Sequence, residues 1–283
     1  MVETSTAKLM MTQSLYKELA DYKMNIGCGL QIRAKYVDGL EFPASDSQLL
    51  GQWFEYQATG QLARGGVEPI APRLKPKKLT QKEIASGLKQ EDVVGELPKA
   101  YREIKVQIEA FKDMLEYYNI EIVETGKRIV DNSLKIQGDI DIVGRIKGEE
   151  KLIFIDVKSS GLLEDKWSDY GWADESIEYK DRLLVQSVHY KVLGKSEYGY
   201  YPDFYFWVFS TKNNMERKVF KIEVDNDRFV QHLQYIRKAQ EFFNENEANG
   251  WEARPNPKRC SSCPLASTCN SFSAIPLEKV VYY

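Results

Sequence analysis

Apolar residues at Tyr101, Ile104, Ile108, Phe111, Leu115 and Tyr118 recur at three- and four-residue steps, the stripe of an amphipathic helix. A second stripe, Phe229, Leu233, Ile236, Ala239 and Phe243, predicts a long helix from Asp227 to Asn246. Between the two the pattern shortens to that of strands. Leu152 to Val157 (LIFIDV) is an almost continuous apolar run, as expected of a central strand covered on both faces. Phe204 to Phe209 reads the same way, whereas Phe220, Ile222 and Val224 alternate with charged residues and predict a strand with one wet face. Shorter strand candidates are Glu121 to Val123, Lys127 to Val130, Leu134 to Ile136 and Ile140 to Val143.

Helices are expected over Ser14 to Lys23 and Glu178 to Leu193. Ser45-Asp46-Ser47 supplies capping residues for another, with Leu49, Leu50, Trp53, Phe54 and Leu62 at its apolar positions. Residues 65–98 hold four glycines and four prolines and read as a long connection or small insertion, with one short helix near Gln81 to Leu88. Helices, a sheet interrupted by a helix, and a closing helix make a mixed α/β chain. The expected organisation is one structural domain in four stretches. They are an N-terminal helical segment (1–64), the linker (65–98), a core (99–226) and a C-terminal helix with a cysteine-bearing segment (227–283).

The 283 residues suffice for one sizeable core or two small domains. No apolar run approaches membrane-spanning length and no secretory pattern opens the chain, so a cytoplasmic location without membrane contact is expected. The net charge of -3 neither supports nor excludes a nucleic-acid partner, because acidic metal ligands and a basic phosphate track cancel in the total. Basic groups gather at Arg73 to Lys82, Lys23 to Lys35 and Arg254 to Arg259, as phosphate contacts or as solvated faces.

Two constellations carry chemistry. Cys260, Cys263 and Cys269 form C-x2-C-x5-C, and the only other cysteine, Cys28, lies far upstream. Four thiolates suit an iron–sulfur cluster or structural zinc; the plain alternative is that Cys28 is a packed small hydrophobe. The second constellation is acidic. Asp156 and Lys158 end the LIFIDV strand and share a face, while Asp141 follows Gly138 on the preceding strand, one hairpin away. Two carboxylates side by side suit Mg²⁺ or Mn²⁺, although a salt bridge between Asp156 and Lys158 is the plain reading. Gln186 and Tyr190 share a helix face, and Glu55 is available as a third oxygen ligand. Trp167, Tyr170 and Trp172, after Lys158, are candidates for stacking on bases, gating a channel or packing in the core.

In this order the residues resemble the PD-(D/E)xK nuclease superfamily, in its RecB, AddB and Cas4-like branch. The matching residues are Glu55, Gly138 with Asp141, Asp156 with Lys158, and Gln186 with Tyr190. Iron–sulfur members of that branch add one cysteine before the core and a C-x2-C-x5-C trio after it, matched by Cys28, Cys260, Cys263, Cys269 and the following Pro264. The chain departs from many relatives in having Glu55 where they carry histidine, and Gly29-Leu30 after the first cysteine where they often carry Pro and Arg. His189 and His232 do not replace that histidine.

The resemblance implies a restriction-endonuclease-like core with a mixed central β-sheet flanked by helices. Its N- and C-terminal helical segments would be joined by a 4Fe-4S cluster on the four cysteines. It implies a Mg²⁺- or Mn²⁺-dependent deoxyribonuclease, with Glu55, Asp141, Asp156 and the Val157 carbonyl on the metal. Lys158 would position the attacking water, and Gln186 and Tyr190 would steady the site. Exonuclease action on single strands or duplex ends, in recombination, repair or phage DNA processing, is the expected mode. A Cas4-like role in CRISPR adaptation, a zinc-stabilised nuclease and a non-catalytic DNA-binding assembly subunit are the alternatives. A homo-oligomer or a recombination or CRISPR partner fits either role.

Overall fold

The computed structural model describes residues 9–60, 67–69, 79–87, 89, 99–212, 216–256, 260 and 263–269. Most of the 65–98 segment, the basic residues 73–78 and 257–259, and the apolar position Leu62 lie outside the described residues. The chain divides into two compact units. One comprises residues 44–131 and 138–224, the other the described parts of 1–43, 132–137 and 225–283.

The larger unit is built on a five-stranded sheet of order β1-β2-β3-β4-β5, with β1 Ile120–Asp131, β2 Ile136–Ile146, β3 Leu152–Ser160, β4 Asp203–Ser210 and β5 Arg217–Ile222. β2 runs antiparallel to β3 and β4 antiparallel to β5, but β3 and β4 are parallel from Ile153↔Asp203 to Ser160↔Ser210. A parallel pair needs a crossover. Here it consists of a loop, a 3-10 turn Asp174–Tyr179 and helix α6 Asp181–Tyr198, which packs on β1 and β4.

Helices α3 Asp46–Thr59 and α5 Lys99–Tyr117 contribute to a hydrophobic cluster with the sheet. Leu50, Phe54, Ile104, Phe111 and Met114 meet Ile142, Ile153, Ile155, Val157, Trp207 and Phe209 there. Ile153, Ile155 and Val157 of β3 thus face this cluster, and by strand alternation Phe154, Asp156 and Lys158 face the other side. The apolar run of β3 reflects cover on both faces. A short helix, α4 Gln81–Ala85, lies in the otherwise largely undescribed linker.

The expected caps form. Ser45 and Gln48 make a reciprocal capping box at the start of α3, with Ser45 N donating to Gln48 Oε1 at 2.8 Å. The separate strand candidates at 121–123 and 127–130 are one strand, β1, which passes through Gly126 at φ 62° and whose alternation of covered and exposed residues slips at Val123-Glu124. As an outer strand it buries few side chains, so its sequence is polar enough to look broken. The candidate at 134–136 is mostly turn, with Lys135 at φ 54°, and β2 begins only at Ile136.

In the other unit, α1 Gln13–Lys23 packs against α2 Gly29–Tyr36 and against α7 Asn226–Asn249. Residues 132–137 join it through Met11 N donating to Lys135 O at 2.8 Å and Gln137 N to Met11 O at 3.0 Å. Helix α2 has no apolar stripe and was not anticipated in the sequence. No helix among the described residues is long and apolar enough to cross a membrane.

Phe209 is fully buried between Phe54 and Phe111, with ring centroids at 5.1 and 6.2 Å, and so ties α3 and α5 to β4. Phe209→Ala is expected to lower stability by about 3–5 kcal/mol in chemical denaturation.

Candidate active site

The end of β3 concentrates charge. Asp156 is only 2% exposed. Its Oδ1 accepts a 2.6 Å hydrogen bond from Gln186 Nε2, and its Oδ2 lies against the Lys158 ammonium, although no hydrogen bond of good geometry reaches that oxygen. Lys158 Nζ is also 4.0 Å from Asp141 Oδ2 and 3.5 Å from the Val157 carbonyl.

Asp141 arrives through strand register. The β2–β3 pairing extends from Arg145↔Leu152 to Ile142↔Ile155, which leaves Asp141 beside Asp156. There a side chain takes over from the ladder, as Val157 N donates to Asp141 Oδ2 at 2.9 Å. Val157 therefore buries its side chain among the α3 and α5 residues and offers its backbone to the site. Glu55, half-buried on α3, stands within the electrostatic reach of Asp156, Asp141 and Lys158.

Three carboxylates face one ammonium, and the imbalance is visible in their protonation. Burial, and then repulsion by Asp156, pushes the Glu55 carboxyl up to about 7 against the pull of Lys158. Burial, then Asp156 and Glu55, lifts Asp141 well above the ordinary carboxylate range, with Lys158 and the Val157 N–H opposing. Burial alone would lower Lys158, but Asp156, Asp141 and Glu55 together raise it and hold it charged. A hard-oxygen set with surplus negative charge and a backbone carbonyl alongside fits a divalent cation such as Mg²⁺ or Mn²⁺. By distance alone, no group of three His, Cys, Asp or Glu side chains among the described residues is gathered tightly enough to hold an ion. The carboxylates would have to draw together on binding.

Helix α6 delivers Gln186 and, one turn on, Tyr190, both buried. Burial first, then Asp156 and Asp141, raises the Tyr190 phenol well above its usual value, so it stays neutral, with Gln186 within hydrogen-bonding reach. Gly138 explains its place in the pattern through this contact. A Cβ there would sit 2.8 Å from the Tyr190 ring and 2.9 Å from Leu193, so only glycine lets α6 approach β2 closely enough. His189 is fully buried and packs beside Tyr190, with ring centroids at 6.2 Å.

One residue of this face was not singled out in the sequence. Arg182 precedes Gln186 by one turn, has Asp156 in its electrostatic surroundings, and lies 4.2 Å from the centroid of Tyr170. The step 182, 186, 190 was the available signal. The three loop aromatics divide. Trp172 is core, 5.4 Å from Phe206 and 5.9 Å from Phe220 between ring centroids, whereas Trp167 and Tyr170 are 86% and 63% exposed.

In the smaller unit, Cys28, Cys260, Cys263 and Cys269 line one cavity together with Gln31, Arg254 and Leu265. Gln31 Nε2 donates to Cys263 Sγ at 3.1 Å and Asn256 N to Cys260 Sγ at 3.2 Å. All four thiols are free, and they surround the cavity without converging to coordination distance. Gly29 N–H donates to Glu252 O at 3.1 Å, and a Cβ at Gly29 would stand 2.8 Å from that same oxygen. This accounts for the glycine after Cys28, since proline would lose the donor and collide.

The raised Glu55 and Asp141 carboxyls set the pH response of the metal-free chain. Between the ordinary carboxylate range and about pH 7, the folded chain keeps protons that the unfolded chain has released. Stability contributed by these groups is therefore greatest at the acid end of that window and falls as pH rises through it. Urea denaturation in chelator should show this decline, and Glu55→Gln should flatten it and raise the midpoint above pH 7. An identical profile in the variant would remove Glu55 from the charge cluster.

The geometry meets independent comparisons. No curated protein gives a significant match to the chain. Among solved structures, a "putative exonuclease" from Eubacterium rectale is similar with a TM-score of 0.55 at 15% identity, covering 100% of this chain and 96% of that one. That likeness supports the fold. The family model of the PD-(D/E)XK nuclease superfamily matches residues 26–270, a span holding Cys28, Glu55, the charged end of β3, the α6 face and the cysteine trio. The chain belongs to the PD-(D/E)XK nuclease superfamily.

Proposed function

We propose that the protein is a Mg²⁺- or Mn²⁺-dependent deoxyribonuclease that hydrolyses phosphodiester bonds at the end of β3. The observation that carries this reading is the under-neutralised cluster of Glu55, Asp141 and Asp156 around Lys158. Nucleases of this superfamily typically use a divalent metal. Glu55, Asp141, Asp156 and the Val157 carbonyl are the groups that would hold it. When bound, such a cation supplies Lewis-acid polarisation of the phosphoryl group and acidifies water.

The protein's own groups do the rest. Lys158, held protonated among the carboxylates, donates to the attacking water and offsets charge growing on the phosphate oxygens. Gln186 fixes the Asp156 rotamer through its 2.6 Å hydrogen bond, so that Oδ2 stays turned toward Lys158 and the metal position. Tyr190, neutral and packed on Gly138, holds α6 at the distance this requires.

The finer reading is an exonuclease on single strands or duplex ends, in the iron–sulfur branch of the superfamily. The Eubacterium rectale fold neighbour carries an exonuclease designation, which agrees with that mode. Four free thiols on one cavity, two of them accepting N–H hydrogen bonds, suit thiolate ligation of a 4Fe-4S cluster, because N–H donors stabilise anionic sulfur. The cluster's part is structural, tying α2 to the C-terminal segment. The stretches 1–64, 65–98, 99–226 and 227–283 then serve as an N-terminal segment carrying Cys28 and Glu55, a linker, the nuclease core and a closing arm.

End-labelled single- and double-stranded DNA incubated with anaerobically purified protein and Mn²⁺ tests the activity. Metal-dependent shortening is expected, reduced by about a hundred- to a thousandfold in Lys158→Ala. Absence of any metal-dependent product from folded wild-type protein would overturn the nuclease reading. Iron analysis tests the branch assignment: about four irons per chain with broad visible absorbance are expected, lost in Cys260→Ser. Stoichiometric zinc in the colourless protein would rule the cluster out.

A further inference from the structure

We propose that Arg182 contacts the substrate: stacked on Tyr170 one turn before Gln186, its guanidinium grips a DNA phosphate adjacent to the one at the end of β3. Tyr170 and Trp167 offer the aromatic surface for an unpaired base of the same strand. This deepens the nuclease reading above and rests on it.

Arg182, Gln186 and Tyr190 occupy successive turns of one face of α6, and Gln186 is bonded to Asp156. One helical turn separates Arg182 from that bond, about 5–6 Å between Cβ atoms. A long side chain that starts one turn away can reach a phosphate other than the one at the end of β3. The guanidinium lies over the Tyr170 ring at 4.2 Å and shares a side-chain hydrogen bond with Tyr170, while its buried Nε has no acceptor among the described residues. A folded chain rarely leaves such a donor unanswered, whereas a phosphate oxygen answers it as half of a two-pronged contact. Its electrostatic partners are Tyr170 first, then the loop carboxylate Asp169 and Asp156. Asp156 is already engaged by Lys158 and Gln186.

The loop that carries the aromatics is pinned. Asp165 Oδ1 accepts from Trp167 N at 2.8 Å and Ser168 N at 3.0 Å, and Lys180 Nζ donates to the carbonyls of Lys166 and Ser168. Lys218 Nζ reaches the carbonyls of Leu163 and Trp172 and pairs with Glu164 and Asp174. Buried Trp172 anchors the loop to the sheet. Trp167 and Tyr170 are therefore held out in solvent by a fixed backbone. Large rings presented in this way beside a cationic fork form a stacking platform for single-stranded nucleic acid.

The test uses the full chain with Lys158→Ala to suppress cleavage, titrated by anisotropy against a labelled single-stranded oligonucleotide over a salt series. Adding Arg182→Gln should weaken binding roughly tenfold. It should also reduce the slope of log affinity against log salt by about 0.7, the loss of one single-strand phosphate contact. Arg182→Lys should restore the slope and only part of the affinity, because it keeps the charge but not the fork. A neutral methylphosphonate moved along the oligonucleotide should weaken binding at one more position in the parent than in Arg182→Gln.

Equal slopes and identical methylphosphonate profiles in folded parent and Arg182→Gln would overturn the proposal. If Arg182→Gln does not fold, Arg182→Lys carries the test, since loss of the two-pronged contact should still blunt the response at that one phosphate. An unblunted response overturns the proposal. Wild-type cleavage is run alongside. Metal-dependent cleavage with no Arg182 effect sinks this inference alone. Absence of cleavage by folded wild type sinks the nuclease reading itself, whatever the binding data show.

Discussion

A buried carboxylate on the central strand is the constraint to which the site answers. Asp156 is as enclosed as the phenylalanines around it, and an uncompensated charge there would cost several kcal/mol. Lys158 and Gln186 supply the compensation from two directions, one from the same strand face and one from the helix above. The compensation is incomplete, because Asp141 and Glu55 stand in the same field and share the Lys158 ammonium. Proton uptake by Glu55 and Asp141 is how the chain relieves the excess without a cation. A divalent cation held there would relieve it differently, since its charge would favour ionised Glu55 and Asp141.

The sheet topology makes that cluster possible. Because β3 and β4 are parallel, the chain must cross over between them, and the crossover lays α6 above the face bearing Asp156 and Lys158. Gly138 then admits the Tyr190 ring against β2. On the opposite face, α3 and α5 pack on Ile153, Ile155 and Val157, and the same α3 carries Glu55 to the site. Each flanking layer contributes at least one polar group to the end of β3.

The smaller unit follows a different logic. Its cysteine cavity is framed by contacts between the ends of the chain that use no sulfur. Arg254 stacks on Tyr22 at 4.1 Å and donates to its carbonyl, Glu252 N donates to Tyr22 Oη at 3.2 Å, and Gly29 pairs with Glu252. Such a frame sets Cys28 on the same cavity as the C-terminal trio with no ligand present.

Much of this was legible in the residues. Periodicity located α1, α3, α5, α7, β3 and β4, because each buries a stripe or a face strong enough to dominate its local composition. The period of two put Asp156 and Lys158 on one face before any packing was known, and the period of 3.6 did the same for Gln186 and Tyr190. Polar β1 and unstriped α2 were obscured, since outer strands and short capping helices bury too little to imprint a pattern.

The sequence by itself determined which residue types stood at which local spacing, and through the order of its motifs the superfamily. Only the tertiary structure decided that register sets Asp141 against Val157, that Glu55 reaches the same charge cluster from α3, that Trp172 is core while Tyr170 is exposed, and that Arg182 rests on Tyr170. The physical reason is that these relations join residues far apart along the chain. Periodicity assigns each residue a face, but side-chain packing and the parallel crossover decide which faces meet.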